Sequence, residues 1–176
     1  MNPCLLTTSP EHCTNGGVTY MFWIKQLDDK KGGIITTYDW NPGKEGFRIY
    51  YTKAGYLVAR IRRKGAAQSG TKIYKSVSGM KDHINSWLHV AVVYLTEPVR
   101  EMHIYLNGEE IGPDDPTLLD SGDPTSSSDM RMKLGRLYVI LNSTSTMLTK
   151  NMIFDEFYLY DKQLHQRVIA NYIYMH

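Results

Sequence analysis

Alternation of apolar and polar side chains dominates this chain. Along Val18-Thr19-Tyr20-Met21-Phe22-Trp23-Ile24-Lys25, the residues Val18, Tyr20, Phe22 and Ile24 share one face, because successive Cβ atoms of a strand point to opposite sides. The other face, Thr19, Met21, Trp23 and Lys25, is itself partly apolar, which predicts a strand in the middle of a sandwich or under a loop. Further strands are predicted over residues 33–38, 47–51 and 56–62, with turns at Asn41-Pro42-Gly43 and Ala54-Gly55 between them. The strongest strand pattern is Trp87-Leu88-His89-Val90-Ala91-Val92-Val93-Tyr94. Residues 101–106 and 109–111 flank Asn107-Gly108, a type I′ hairpin signal, since both central residues of that turn need positive φ.

Residues 112–129 form a loop-rich insert of Pro, Asp and Ser with nothing periodic to bury. Strand pattern resumes over 130–141 and ends with a last strand over 153–160. From 162 to 174 the period changes. Leu164, Val168, Ile169, Tyr172 and Ile173 recur at helical spacing, and Asp161 is the expected N-cap. Short strands separated by turn signals predict an all-β antiparallel sandwich with a short C-terminal helix. No internal repeat or second boundary interrupts it, so residues 1–176 are expected to be one domain.

Composition narrows the class. Of 176 residues, 42% are hydrophobic and 22% charged, which excludes disordered, collagen-like and coiled-coil chains. A net charge of +2 gives no argument for nucleic acid. The longest apolar run, Val90 to Leu95, falls far short of the roughly 18 residues of a membrane span. The first residues are not a basic segment followed by an apolar stretch, so no signal peptide is expected there. Thirteen Tyr against four Phe fit half-buried strand positions and, more weakly, a recognition surface.

Cys4 and Cys13, the two cysteines, precede the first strand at a spacing that matches no CxxC motif, and no further Cys completes a zinc site. Two buried thiols and one disulfide are the alternatives. Pro10, Asn15, Gly16 and Gly17 make the segment a loop with little else to hold it, which favours the bond. Closing that loop is worth roughly 2.5–3 kcal/mol on the chain-entropy account, and it implies an oxidising compartment.

Three segments resemble the laminin G-like and pentraxin-like family, the concanavalin A-like jelly roll. They are Trp87-x-His89-Val90-Ala91-Val92-x-Tyr94, then Ile104-Tyr105-Leu106-Asn107-Gly108-Glu109, then Asp155-Glu156-Phe157-Tyr158-Leu159-Tyr160-Asp161 followed by a helix. Cys4 and Cys13 with Gly17 and Phe22-Trp23-Ile24-Lys25 also resemble the opening of extracellular members. The resemblance spans nearly the whole chain and implies a jelly-roll sandwich. The fold carries lectins, adhesion modules, receptor ectodomains and glycan hydrolases, so function rests on the site.

Candidate chemistry is sparse. A glycan hydrolase needs two carboxylates on one strand face, whereas strict alternation sets Asp155 and Glu156 on opposite faces. A core-facing carboxylate is then expected to make a structural hydrogen bond, with a calcium ligand as the sharper alternative. His89 is expected as a hydrogen-bonded core histidine, two residues from Trp87 on one face. Arg60 and Arg62 share a face that Arg63 and Lys64 extend, and Lys53, Lys72 and Lys75 stand to join it from neighbouring strands. That patch suits a sulfated or acidic glycan, or an acidic protein surface. No cofactor is required; calcium, common in this family, has weak candidate ligands in Asp114, Asp115 and Asp123. Asn142 heads the one usable glycosylation sequon.

The expectation is an extracellular, non-catalytic recognition or adhesion module from a larger secreted or receptor protein, binding a glycan or a protein. A structural, oligomerising role like that of pentraxins is the alternative, and a glycan-processing enzyme ranks below both.

Overall fold

The structure, a computed structural model, describes residues 16–29, 32–37, 46–51, 55–62, 71–75, 80–95, 101–111, 132–134 and 152–175. Within them run β1 (Gly17–Gln26), β2 (Gly32–Thr37), β3 (Gly46–Tyr51), β4 (Leu57–Arg62) and β5 (Thr71–Lys75). A short 3-10 helix (Met80–His83) leads to β6 (Trp87–Leu95), β7 (Met102–Leu106), β8 (Glu109–Ile111), β9 (Met132–Leu134), β10 (Met152–Tyr160) and α1 (Gln166–Tyr174). Two five-stranded sheets result, one in the order β10-β1-β6-β7-β8 and the other β5-β4-β3-β2-β9. Every pairing in both sheets is antiparallel.

The alternation read from the sequence sets which side chains meet between the sheets. Val18, Tyr20, Phe22 and Ile24 of β1 join Leu88, Val90, Val92 and Tyr94 of β6 and Ile104 and Leu106 of β7. The opposing sheet supplies Ile34, Ile35, Ile49, Tyr51, Leu57 and Ala59 to the same core. Fully burying one such side chain contributes about 1.5–3 kcal/mol, so this inter-sheet layer is the main source of stability.

The second face of β1 is covered as well. Met21, Ala91, Val93 and Tyr105 meet Leu164 and Ile169, so α1 and its leading segment lie on the outer face of the first sheet. Thr19, fully buried there, fastens that segment. Its Oγ1 donates to the Lys162 carbonyl (2.8 Å) and accepts from the Leu164 N–H (3.0 Å). Because Thr19 uses this backbone, the helix begins later than the sequence spacing implies. His165, not Asp161, is the N-cap, its Nδ1 accepting from the Arg167 N–H at 3.3 Å.

The hairpin at Asn107-Gly108 forms as expected, with φ of 48° and 81°. A Cβ on Gly108 would come within 3.0 Å of Ala170 Cα, so this glycine also allows α1 to approach the turn. One further difference stands out. β5, which pairs with β4, falls outside the strands predicted from alternation, although its Lys72 and Lys75 were expected near β4. Val90 and Val92 are fully buried, whereas Trp23 and Phe157 are half-buried: Phe157 flanks the core and Trp23 stands on the outer face.

Candidate functional site

Where the outer face of the first sheet runs beyond α1, it opens into a cleft of about 360 Å³ lined by Trp23, Trp87, Asp155 and Glu156. Backbone register builds it. Trp23 lies opposite His89 on β6 and opposite Asp155 on β10, and Trp87 lies opposite Lys25. Residues directly opposite in an antiparallel pair share a face, so two indoles and an imidazole gather on one side. Trp87 is 43% exposed.

Strict alternation would turn Glu156 to the other face, and the structure corrects that expectation. Met21 pairs with Tyr158 and Trp23 with Asp155, so two steps along β1 match three along β10. The extra residue is a β-bulge, and Glu156 sits in it at φ 47°, a left-handed conformation that is uncommon for a residue with a side chain. After the bulge Phe157 returns to the core, its ring 6.2 Å from that of Phe22. The bulge thereby sets both carboxylates at the same cleft.

Both carboxylates are anchored. Asp155 Oδ1 accepts from the Glu156 N–H at 2.9 Å, an arrangement that supports the left-handed residue. Glu156 Oε2 accepts from the Tyr172 hydroxyl of α1 at 2.6 Å. The Tyr172 hydroxyl is pushed well above the ordinary tyrosine range, first by burial and then by its hydrogen bonds to Glu156 and Tyr158, so it stays a donor. Tyr172 also touches the rings of Tyr158 and His89, each at 5.5 Å.

His89 lies behind the cleft, fully buried, its ring edge-on to Trp23 at 5.2 Å. It is not the hydrogen-bonded core histidine that the sequence implies. It packs under α1, outside the inter-sheet core, and neither ring nitrogen has a hydrogen-bond partner. Only its backbone is engaged: its N–H donates to Asn107 Oδ1 and its carbonyl accepts from the Asn107 N–H. Burial pulls its pKa down to about 4, against an opposing pull from Glu156, so the ring is neutral at pH 7.

The residues singled out by sequence lie elsewhere. Arg60 and Arg62 are in β4, where Arg60 pairs with Arg48 and Ile73, and Arg62 with Gly46 and Thr71. Lys75 pairs with Val58 and Lys72 with Ile61, so the i, i+2 set containing the arginines takes in Lys75 and leaves Lys72 out. Arg63, Lys64, Lys53, Asp114, Asp115, Asp123, Cys4, Cys13 and Asn142 are outside the described residues. Among the described residues no three His, Cys, Asp or Glu side chains converge as a metal site would require, and no helix is long and apolar enough to cross a membrane. The meeting of Trp23 and Trp87 at one cleft was missed. Its only sequence signal was a tryptophan on the more polar face of each strand, which needs the β1–β6 register to become a site.

With this geometry in view, comparison with known proteins identifies the relatives. The laminin G profile of the concanavalin A-like lectin/glucanases superfamily matches residues 5–170. The chain belongs to that superfamily. No curated protein matches it in sequence. Among solved structures, this superfamily member is similar to a native heptameric SAP-like pentraxin from Limulus polyphemus (TM-score 0.57, 15% identity, 89% of this chain and 69% of that one). It is also similar to the binding domain of botulinum neurotoxin DC in complex with SialylT (TM-score 0.65, 16% identity, 93% of this chain and 36% of that one). The structure described for botulinum neurotoxin type C, whose cell entry depends on interaction with two ganglioside molecules, gives a TM-score of 0.63 at 18% identity, over 93% of this chain and 36% of that one. The chain thus spans about a third of the toxin chains, and at these identities the likeness is one of fold.

Proposed function

We propose that this domain is an extracellular recognition module without catalytic activity, part of a larger secreted or receptor protein, and that it binds a glycan or protein ligand at the Trp23–Trp87 cleft. The observation that carries this reading is an open cleft with an exposed indole beside two anchored carboxylates on a rigid sheet. Aromatic faces and oriented acceptors are the usual anchors of a binding site, and a sheet holds them without ordering cost on binding. The bulge carboxylates are adjacent in the chain and each is already engaged, which suits holding a ligand better than dividing acid and base roles. The superfamily's lectins and the glycan and protein complexes of the toxin domains support the same direction.

Probing the whole chain against a glycan array, with calcium and with chelator, and against an array of extracellular proteins tests this reading. The expected result is a ligand on one array whose binding is lost in Trp87→Ala. No binding on either array, or binding indifferent to Trp87→Ala, contradicts it.

A further inference from the structure

Among the described residues, the polar groups that line the cleft are of one kind. Asp155 and Glu156 are carboxylates, which accept hydrogen bonds and donate none when ionised. Among the described residues that line it, none is a cation. His89 behind it is fully buried and neutral at pH 7, so it offers no compensating charge. Lys25, opposite Trp87 in register, makes no ion pair among the described residues. The other described residues lining it are Trp23 and Trp87, whose indoles are the aromatic rings with the strongest attraction for a cation over their faces. A sugar hydroxyl donates and accepts; a guanidinium or an ammonium only donates, and it is positive. The cleft therefore matches a donor-only cation in charge, in hydrogen-bonding direction and in ring chemistry.

We propose that the cleft receives a cationic side chain, arginine or lysine, presented by a protein partner. Its charged head lies against the indoles while Asp155 and Glu156 accept its N–H hydrogen bonds. This rests on the recognition reading above and names the ligand chemistry of the same cleft. The anchoring bonds give it specificity: the Glu156 N–H fixes one carboxylate and the Tyr172 hydroxyl fixes the other before any ligand arrives. The unusual backbone at Glu156 then has a reason, since only the bulge brings both acceptors to one cleft.

The test is an NMR titration of the whole chain, following the indole N–H signals of Trp23 and Trp87, assigned through Trp23→Phe and Trp87→Phe. Three probes are compared: acetyl-Gly-Arg-Gly-amide, the same peptide with uncharged citrulline in place of arginine, and methyl glucoside. The expected result is saturable movement of both signals with the arginine peptide and little with the other two. Asp155→Asn, which keeps the oxygen that accepts the Glu156 N–H, should weaken the arginine peptide by about tenfold while the rest of the amide spectrum stays in place. Equal responses to arginine and citrulline, or unchanged affinity in Asp155→Asn, overturn the proposal. Movement with methyl glucoside alone also overturns it but leaves the recognition reading standing. If no probe moves the indoles the proposal falls, and the two arrays independently decide the recognition reading.

Discussion

His89 carries a buried imidazole with two unsatisfied nitrogens, and this has a consequence for stability. Burial lowers its pKa to about 4, against about 6.5 in the unfolded chain. Between those values the unfolded state binds more protons than the folded one, so stability falls as pH drops from about 6.5 toward 4. The full displacement corresponds to about 3 kcal/mol. Urea midpoints measured from pH 7 to pH 4 should decline over this window, and His89→Leu should flatten the decline. An identical pH profile in the variant would show that other groups carry it. The neighbouring Thr19 is a polar residue handled in the opposite way, with both of its hydrogen bonds made to the segment before α1. Sequence alone set Thr19 on the second face of β1, where it lies, but expected His89 in the core rather than under α1. Whether each found a partner depended on α1, which packs on that face from the far end of the chain.

At the scale of elements, most strand positions, β5 excepted, followed from period-2 alternation, and the β7–β8 hairpin followed from Asn107-Gly108 because positive φ is a local demand. The bulge in β10 left only a faint trace, two successive carboxylates at Asp155-Glu156 where strict alternation turns one toward the core, and it takes the mismatch with β1 to show the extra residue. The helix start was hidden for a similar reason: Thr19, more than 140 residues away in sequence, uses the backbone at 162 and 164. Gly108 joins two of these elements. Gly108→Ala would place an alanine at φ 81° with its Cβ 3.0 Å from Ala170, and should cost about 1–3 kcal/mol in urea unfolding. A change of only a few tenths would mean that α1 shifts freely over the turn. For β4, we propose that the i, i+2 set of Arg60 and Arg62 gives weak, salt-sensitive contact with acidic glycans. Retention on heparin at low salt should then fall in Arg60→Ala/Arg62→Ala with the fold intact. Equal elution would leave this strand with no such role.

Across the whole molecule, the two sheets share one core, and α1 covers much of the outer face of one sheet while leaving the Trp23–Trp87 cleft open beside it. Sequence reasoning reached the superfamily, because its motifs are strand patterns in order, but pointed to the β4 arginines for binding. The cleft escaped it because two tryptophans from β1 and β6 and two carboxylates from β10 meet only once the register and the bulge are fixed. A recognition module that works alone should be monomeric by light scattering, whereas a discrete closed oligomer would favour the assembly role. The most direct measurement is the dissociation constant of one array-identified protein ligand for three proteins: the natural chain, Trp87→Ala and Arg60→Ala/Arg62→Ala. The account expects Trp87→Ala to weaken binding by about tenfold or more and the arginine variant to stay within about twofold. Loss of binding in the arginine variant with Trp87→Ala unaffected would contradict it.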